Sequence, residues 1–245
     1  MKLKQDDIYK GSLILVNASY PVRPEYLPEL VQVESNYARI QLEQKTAAVL
    51  NGVLQAICAN GRILPVSGYR TMEEQKAIYA DSLQENGTEF TEKYVALPGH
   101  SEHQTGLAID LGLQKEVIDF IRPDFPYEGI CESFRRRAVK YGFVERYEKG
   151  KEAVTGIAHE PWHFRYVGYP HSEIMKEQDL ALEEYIGYMK QFSFDGSHLR
   201  HRRNNREMEL FYIPVEEEVS LRMPAQAVYQ VSGNNVDGCI IVIWC

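Results

Sequence analysis

The chain has 245 residues, 44% hydrophobic and 25% charged, a globular balance that excludes wholesale disorder and allows one large domain or a domain with an appendage. A formal net charge of −8 gives a nucleic-acid partner no general electrostatic support. No stretch reads as a signal peptide or membrane anchor, and Cys58, Cys131, Cys239 and Cys245 lack C-x-x-C spacing, so the expectation is a cytoplasmic protein with reduced, mostly buried thiols.

In chain order, residues 13–16 are predicted as a strand, followed by a proline-bearing stretch at 21–28. Leu50, Val53, Leu54 and Ile57 recur at helical spacing, and Gly61 stops that helix. "ILPVSGY", 63–69, reads as a strand and turn. Thr71-Met72-Glu73-Glu74 is a capping-box pattern, in which Thr71 and Glu74 satisfy each other's free backbone donors, and it starts a helix running to about Gly87. "GLAIDLGL", 106–113, alternates: Leu107, Ile109, Leu111 and Leu113 share one face, and Ala108, Asp110 and Gly112 the other. The second face is small except for Asp110. A helix near 132–141 ends at Gly142.

His159-Glu160-Pro161-Trp162-His163 fits H-E-x-x-H, a signature that grips zinc only on a helix, where residues four apart share a face. Pro161 argues against the helix, because proline is tolerated only in a first turn and pushes the preceding residue toward extended geometry. Phe164, Tyr166 and Val167 then favour a strand at 162–167, entered through a bend at Pro161 and closed by Gly168 and Pro170. His159 points away from His163 in that geometry. A helix is predicted after Ser172, with Leu182, Tyr185, Ile186 and Met189 on its inner stripe.

The basic run "HLRHRRNNRE", 198–207, reads as a solvated loop rather than a phosphate site. "MELFYIPV", "AVYQVSG" and "GCIIVIW" are strand-like, with Ser232-Gly233-Asn234-Asn235 as a turn between the last two. The predicted organisation is a domain at 1–192 and a small β-rich extension at 193–245. The fold class is α+β, with helices packed around a mainly antiparallel sheet.

"PGHSEHQTGLAIDLG" supplies His100, His103 and Asp110, and Gly106 allows the turn that swings a loop histidine beside a strand carboxylate. With His163 added, two imidazoles and one carboxylate fill three corners of a tetrahedron. The fourth corner stays open for water, the ligand count of a catalytic zinc site. Glu160, three residues before His163, is available as a base beside that water. His100 and His159 are bystanders.

"SEHQTGLAID" matches S-x-H-x-x-G-x-A-x-D, and "EPWHFRYVG" matches an E-x-x-H element. The chain thereby resembles the zinc D,D-peptidases linked to vancomycin resistance, the VanX, VanY and VanXY group. "SGYRTMEEQ" at 67–75 resembles their arginine-bearing segment, and "LVNASYPVRPEYLPELV" at 15–31 the approach to the domain. The resemblance covers roughly residues 10–190. It implies one zinc held by His103, Asp110 and His163, Glu160 as catalytic base, and Arg70 steadying substrate or developing negative charge. It also implies substrate contacts from Ser101 and, one turn beyond Arg70, Gln75.

The motifs are most similar to the carboxypeptidase branch, and the missing anchor to the bifunctional VanXY type. The implied substrates are the D-Ala-D-Ala dipeptide and D-Ala-terminated peptidoglycan precursors, and the implied consequence is glycopeptide resistance. Two alternatives stay open at this point: a cell-wall peptidase of different substrate, and a zinc-stabilised binding protein without activity. Oligomeric state is not legible.

Overall fold

A computed structural model describes residues 1–23, 26–33 and 39–245; Pro24 and Glu25, within the proline-bearing stretch, lie outside the described residues. Two compact units emerge, Val16–Ala181 and Met1–Leu15 together with Leu182–Cys245. The sequence-based boundary at 192/193 differs from this division at both ends: residues 1–15 and 182–192 group with the C-terminal strands.

β1 (Lys2–Leu3) and a 3-10 turn (Gln5–Tyr9) open the chain. β2 (Leu30–Val33) and β3 (Ile40–Glu43) form a hairpin pair that leads into α1 (Gln44–Ala56). Glu43 caps α1 by accepting from the Lys45 and Thr46 amides, which satisfies two of the donors a helix start leaves open. The helix buries Ala47, Leu50 and Val53 and gives way to left-handed residues at Cys58, Asn60 and Gly61.

β4 (Ile63–Ser67), α2 (Met72–Tyr94), a second 3-10 turn (Glu102–Thr105) and β5 (Ala108–Leu113) follow. The Thr71 capping box is present, with Thr71 N donating to Glu74 Oε2 at 2.7 Å and Glu74 N to Thr71 Oγ1 at 3.1 Å. Within α2 the helical run ends at Gly87 as expected, where φ +78° and ψ 173° are not helical, and a second helical stretch carries on to Tyr94. Next come α3 (Gly129–Val139), β6 (Phe143–Tyr147), α4 (Glu152–Thr155) and β7 (Glu160–Tyr166).

β4 to β7 make an antiparallel sheet in the order β4-β5-β7-β6. Pro65 is accommodated because β4 is an edge strand, where a missing N–H breaks no ladder. Phe164 of β7 packs edge-on against Phe125 and Phe134, with ring centroids 5.4 and 5.0 Å away, so α3 covers one face of the sheet. Strand alternation puts His163 on the other face.

The helix expected after Ser172 is two helices, α5 (His171–Glu177) and α6 (Leu182–Met189). Asp179, at φ +53°, breaks the helical run. The expected inner stripe of α6 is buried.

In the second unit, β8 (Leu199–Arg203), β9 (Arg206–Pro214), β11 (Val228–Gly233) and β12 (Gly238–Trp244) form a sheet ordered β11-β12-β9-β8, and β10 (Val219–Ser220) pairs with β1. The basic run is therefore a hairpin rather than a loop, with Arg200 facing Glu207 and Glu209 across the ladder. Residues 13–16 are not a strand. Their hydrogen bonds go to a turn instead: Leu13 N donates to Ser232 Oγ, Leu15 N to Asn234 O, and Asn235 Nδ2 to Leu15 O. Leu3, Ile8, Phe211, Ile213, Cys239 and Ile241 build this unit's core. The four cysteines are free, Cys131 and Cys239 buried but Cys58 and Cys245 exposed, which corrects the expectation that most are buried.

Candidate metal centre

Three elements of the Val16–Ala181 unit converge on one point. The 3-10 turn brings His103, β5 brings Asp110 and β7 brings His163. Sheet register does most of this work, since Asp110 and His163 are direct cross-strand partners in the β5–β7 ladder. Two residues four apart on a helix are not needed. The H-E-x-x-H string is not helical: β7 begins at Glu160 and runs through Pro161, so the strand starts two residues before the expected 162 and without the expected bend, and His159 precedes it.

His103 reaches the ladder through Gly106, whose φ of +69° turns the chain into β5. A side chain there would also meet Glu43 N at 2.8 Å, so glycine is required twice over. Gly68 is needed for space alone, since a Cβ would sit 2.5 Å from Gln41 O. That close packing aims the Gly68 carbonyl at the site.

The candidate ligand atoms of His103, Asp110 and His163 lie within 4.8 Å of one another, and all three residues are buried. His103 Nδ1 donates to Gly68 O at 2.7 Å, leaving Nε2 3.2 Å from Asp110 Oδ2. His163 Nδ1 lies 2.9 Å from Asp110 Oδ1, and its Nε2 lies 3.4 Å from Glu102 Oε2. Each imidazole thus has one nitrogen tied to an outer partner and the other turned inward, the arrangement that orients histidine ligands. Two nitrogens and a carboxylate oxygen fit zinc.

Glu160 Oε2 is 3.9 Å from His163 Nδ1, on the inward side and outside the ligand group. Burial pushes its carboxyl up to about 8. Burial also opposes charge on Asp110, yet the two histidines outweigh it and hold the carboxyl well below the usual carboxylate range. Burial lowers His103. On His163 burial acts the same way, but contacts with Asp110 and Glu102 push it up to about 9.

Arg70 donates from Nε to Ser67 Oγ at 3.0 Å, from NH1 to Gln75 Oε1 at 3.4 Å and from NH2 to Asp110 Oδ2 at 3.2 Å. A cavity of about 340 Å³, lined in part by Arg39, Ser67, Gly68, Tyr69 and Arg70, opens beside it. Gln75 is fully buried and donates to Ala96 O, so it stands behind Arg70. Ser101 is buried at the start of the turn that carries His103.

The two bystander histidines are engaged elsewhere. His100 Nδ1 meets Asn17 O at 2.7 Å, and His159 Nε2 meets the Tyr127 hydroxyl at 2.7 Å. What sequence reasoning missed is Glu102, with Arg146 and Arg165 around it. One signal was available: Arg165 is two residues from His163 in the strand, hence on the same face.

Residues 39–169 match the family described as VanY, D-alanyl-D-alanine carboxypeptidase. The vancomycin resistance D,D-dipeptidase VanXYg, solved with a D-Ala-D-Ala phosphinate analog, is 51% identical, with a TM-score of 0.96 over 100% of this chain and 98% of that one. The bifunctional D-Ala-D-Ala dipeptidase and carboxypeptidase VanXYC of Enterococcus gallinarum is 41% identical over 74% of this chain and 96% of its own length. A mutant of the D,D-pentapeptidase VanY from a VanB-type cassette, solved with Zn(II), is 31% identical with a TM-score of 0.60, covering 71% of this chain and 98% of that chain. The chain belongs to the VanY family of D-alanyl-D-alanine carboxypeptidases.

Proposed function

We propose that this chain is a zinc-dependent D,D-dipeptidase and D,D-carboxypeptidase that hydrolyses D-Ala-D-Ala and removes the terminal D-Ala of peptidoglycan precursors. It thereby confers glycopeptide resistance. The observation that carries the reading is the buried His103–Asp110–His163 group with Glu160 3.9 Å from His163 Nδ1. A zinc-stabilised binding protein has no use for a second carboxylate held at that position.

When bound, zinc supplies Lewis acidity toward the scissile carbonyl and makes water acidic enough to deprotonate near neutral pH. His103, Asp110 and His163 would hold it. Glu160 accepts the proton of the attacking water and returns it to the leaving D-Ala amine, a general base that becomes a general acid. Its buried setting raises its proton affinity, which favours taking up the water proton and holding it for the leaving amine. Arg70, fixed by Ser67, Gln75 and Asp110, presents a rigid cation for the substrate carboxylate or the developing oxyanion. Gln75 supports that cation, and Ser101 contacts substrate beside His103.

The catalytic work belongs to the Val16–Ala181 unit, where all of these residues lie. Among the described residues no helix is long and apolar enough to cross a membrane. Action on precursors in the cytoplasm is part of the proposal, by likeness to the bifunctional VanXYC. Product analysis with zinc-loaded protein tests the reading: D-alanine should be released from both the dipeptide and the pentapeptide precursor. Cleavage of intact cell wall with neither small substrate touched would overturn it in favour of an endopeptidase.

A further inference from the structure

Glu102 opens the 3-10 turn that carries His103, and its side chain is 0% exposed. Oε1 accepts from Arg146 Nε and from Arg165 NH1, each at 2.8 Å, and Oε2 is left for His163 Nε2 at 3.4 Å. Both guanidinium groups are permanent donors. With two such donors on Oε1, the carboxylate is the acceptor in its contact with His163. The nitrogen facing it therefore carries a hydrogen, which leaves Nδ1, beside Asp110 Oδ1, as the nitrogen available to a metal.

We propose that Glu102 is a positioning residue that fixes the Nε2–H form of His163 and so presents Nδ1 to the metal, with Arg146 and Arg165 holding Glu102 in place. This inference rests on the zinc reading above. Stability alone does not account for the cluster, because well-packed apolar residues commonly match or exceed a buried ion network in stabilising a fold. The arrangement is also economical in sequence: Glu102 orients one ligand while its neighbour His103 is the other. His103 solves the same problem differently, through a backbone carbonyl at Gly68. The two histidines therefore offer opposite ring nitrogens to the ion.

Glu102→Gln tests the proposal with little change of volume. If the amide oxygen stays on the arginines, its NH2 faces His163 and favours the opposite ring form. Zinc affinity, measured by competition with a chelator, should fall about 10- to 100-fold, the usual effect of losing a ligand's outer partner. Rings labelled with 15N in the zinc-loaded wild-type protein should show hydrogen on Nε2 of His163 but on Nδ1 of His103. Unchanged zinc affinity in folded Glu102→Gln overturns the proposal, and so does hydrogen on Nδ1 of His163 in the wild type. Should Glu102→Gln fail to fold, the wild-type ring spectrum and its His163 N–H shift, displaced downfield by a carboxylate acceptor, decide the matter. His163→Ala separates the levels: zinc lost there but unaffected by Glu102→Gln sinks this inference alone, whereas zinc kept in His163→Ala sinks the reading beneath it.

Discussion

Both units have apolar cores, but their interiors differ in the charge they bury. The Val16–Ala181 unit buries Glu102, His103, Asp110, Arg146, Glu160, His163 and Arg165. The other unit centres on Leu3, Ile8, Phe211, Ile213, Val215, Cys239 and Ile241, an apolar core of the ordinary kind. Buried charge is costly unless every group is paired, and among the described residues no buried side-chain polar atom lacks a hydrogen-bond partner. The first interior is organised to hold a site at some expense of stability. The second contributes stability chiefly through apolar area and packing, with Ser232, Asn234 and Asn235 as buried hydrogen-bonding groups.

Substitutions should divide along the same line. Phe211 is fully buried in the apolar core, and Phe211→Ala should cost about 3–5 kcal/mol in denaturant unfolding while the folded protein keeps its zinc. Zinc loss at native conditions would show that the two interiors are not separable in this way. Glu160→Ala should do the reverse, keeping metal and fold but losing hydrolysis by about a hundredfold or more. A variant with more than a tenth of wild-type turnover would remove Glu160 from the mechanism.

A pH titration sharpens the comparison within the catalytic unit. His171 is buried, and that burial lowers it from 6.5 to about 3. Above pH 6.5 it is neutral in both folded and unfolded chains and has no effect on stability. As pH falls below 6.5 only the unfolded chain gains the proton, so stability declines, by about 2 kcal/mol at pH 5. His171→Leu should lose less stability than the wild type between pH 7 and pH 5; equal losses would contradict the burial argument. The smallest effect is expected at a cap. Thr71→Ala should cost about 1 kcal/mol in unfolding free energy, since it leaves the Glu74 amide without its side-chain acceptor.

Legibility in the sequence followed how local each feature is. The Thr71 cap, the alternation around Asp110 and the strand at His163 depend on neighbours in the chain, and each was readable. The grouping of His103, Asp110 and His163 was readable because residue type narrows metal chemistry so strongly. Glu102 was not, since nothing in "SEH" names Arg146 and Arg165 as its partners. Residues 13–16 have strand composition, but Ser232, Asn234 and Asn235 take their backbone groups. The run 198–207 looked like a solvated loop because its composition does not reveal the turn at Asn204 and Asn205 that sets Glu207 and Glu209 against Arg200. The single helix expected after Ser172 missed one left-handed residue, Asp179, which no periodicity reveals.

The central claim is that a strand register, and not a helical H-E-x-x-H, assembles the metal site. Zinc content of purified single variants tests it most directly. One zinc per chain should be found in the wild type, in His159→Ala and in Glu160→Ala, and none in His103→Ala, Asp110→Ala or His163→Ala. Zinc lost from His159→Ala as fully as from His163→Ala, with Asp110→Ala still loaded, would contradict the account.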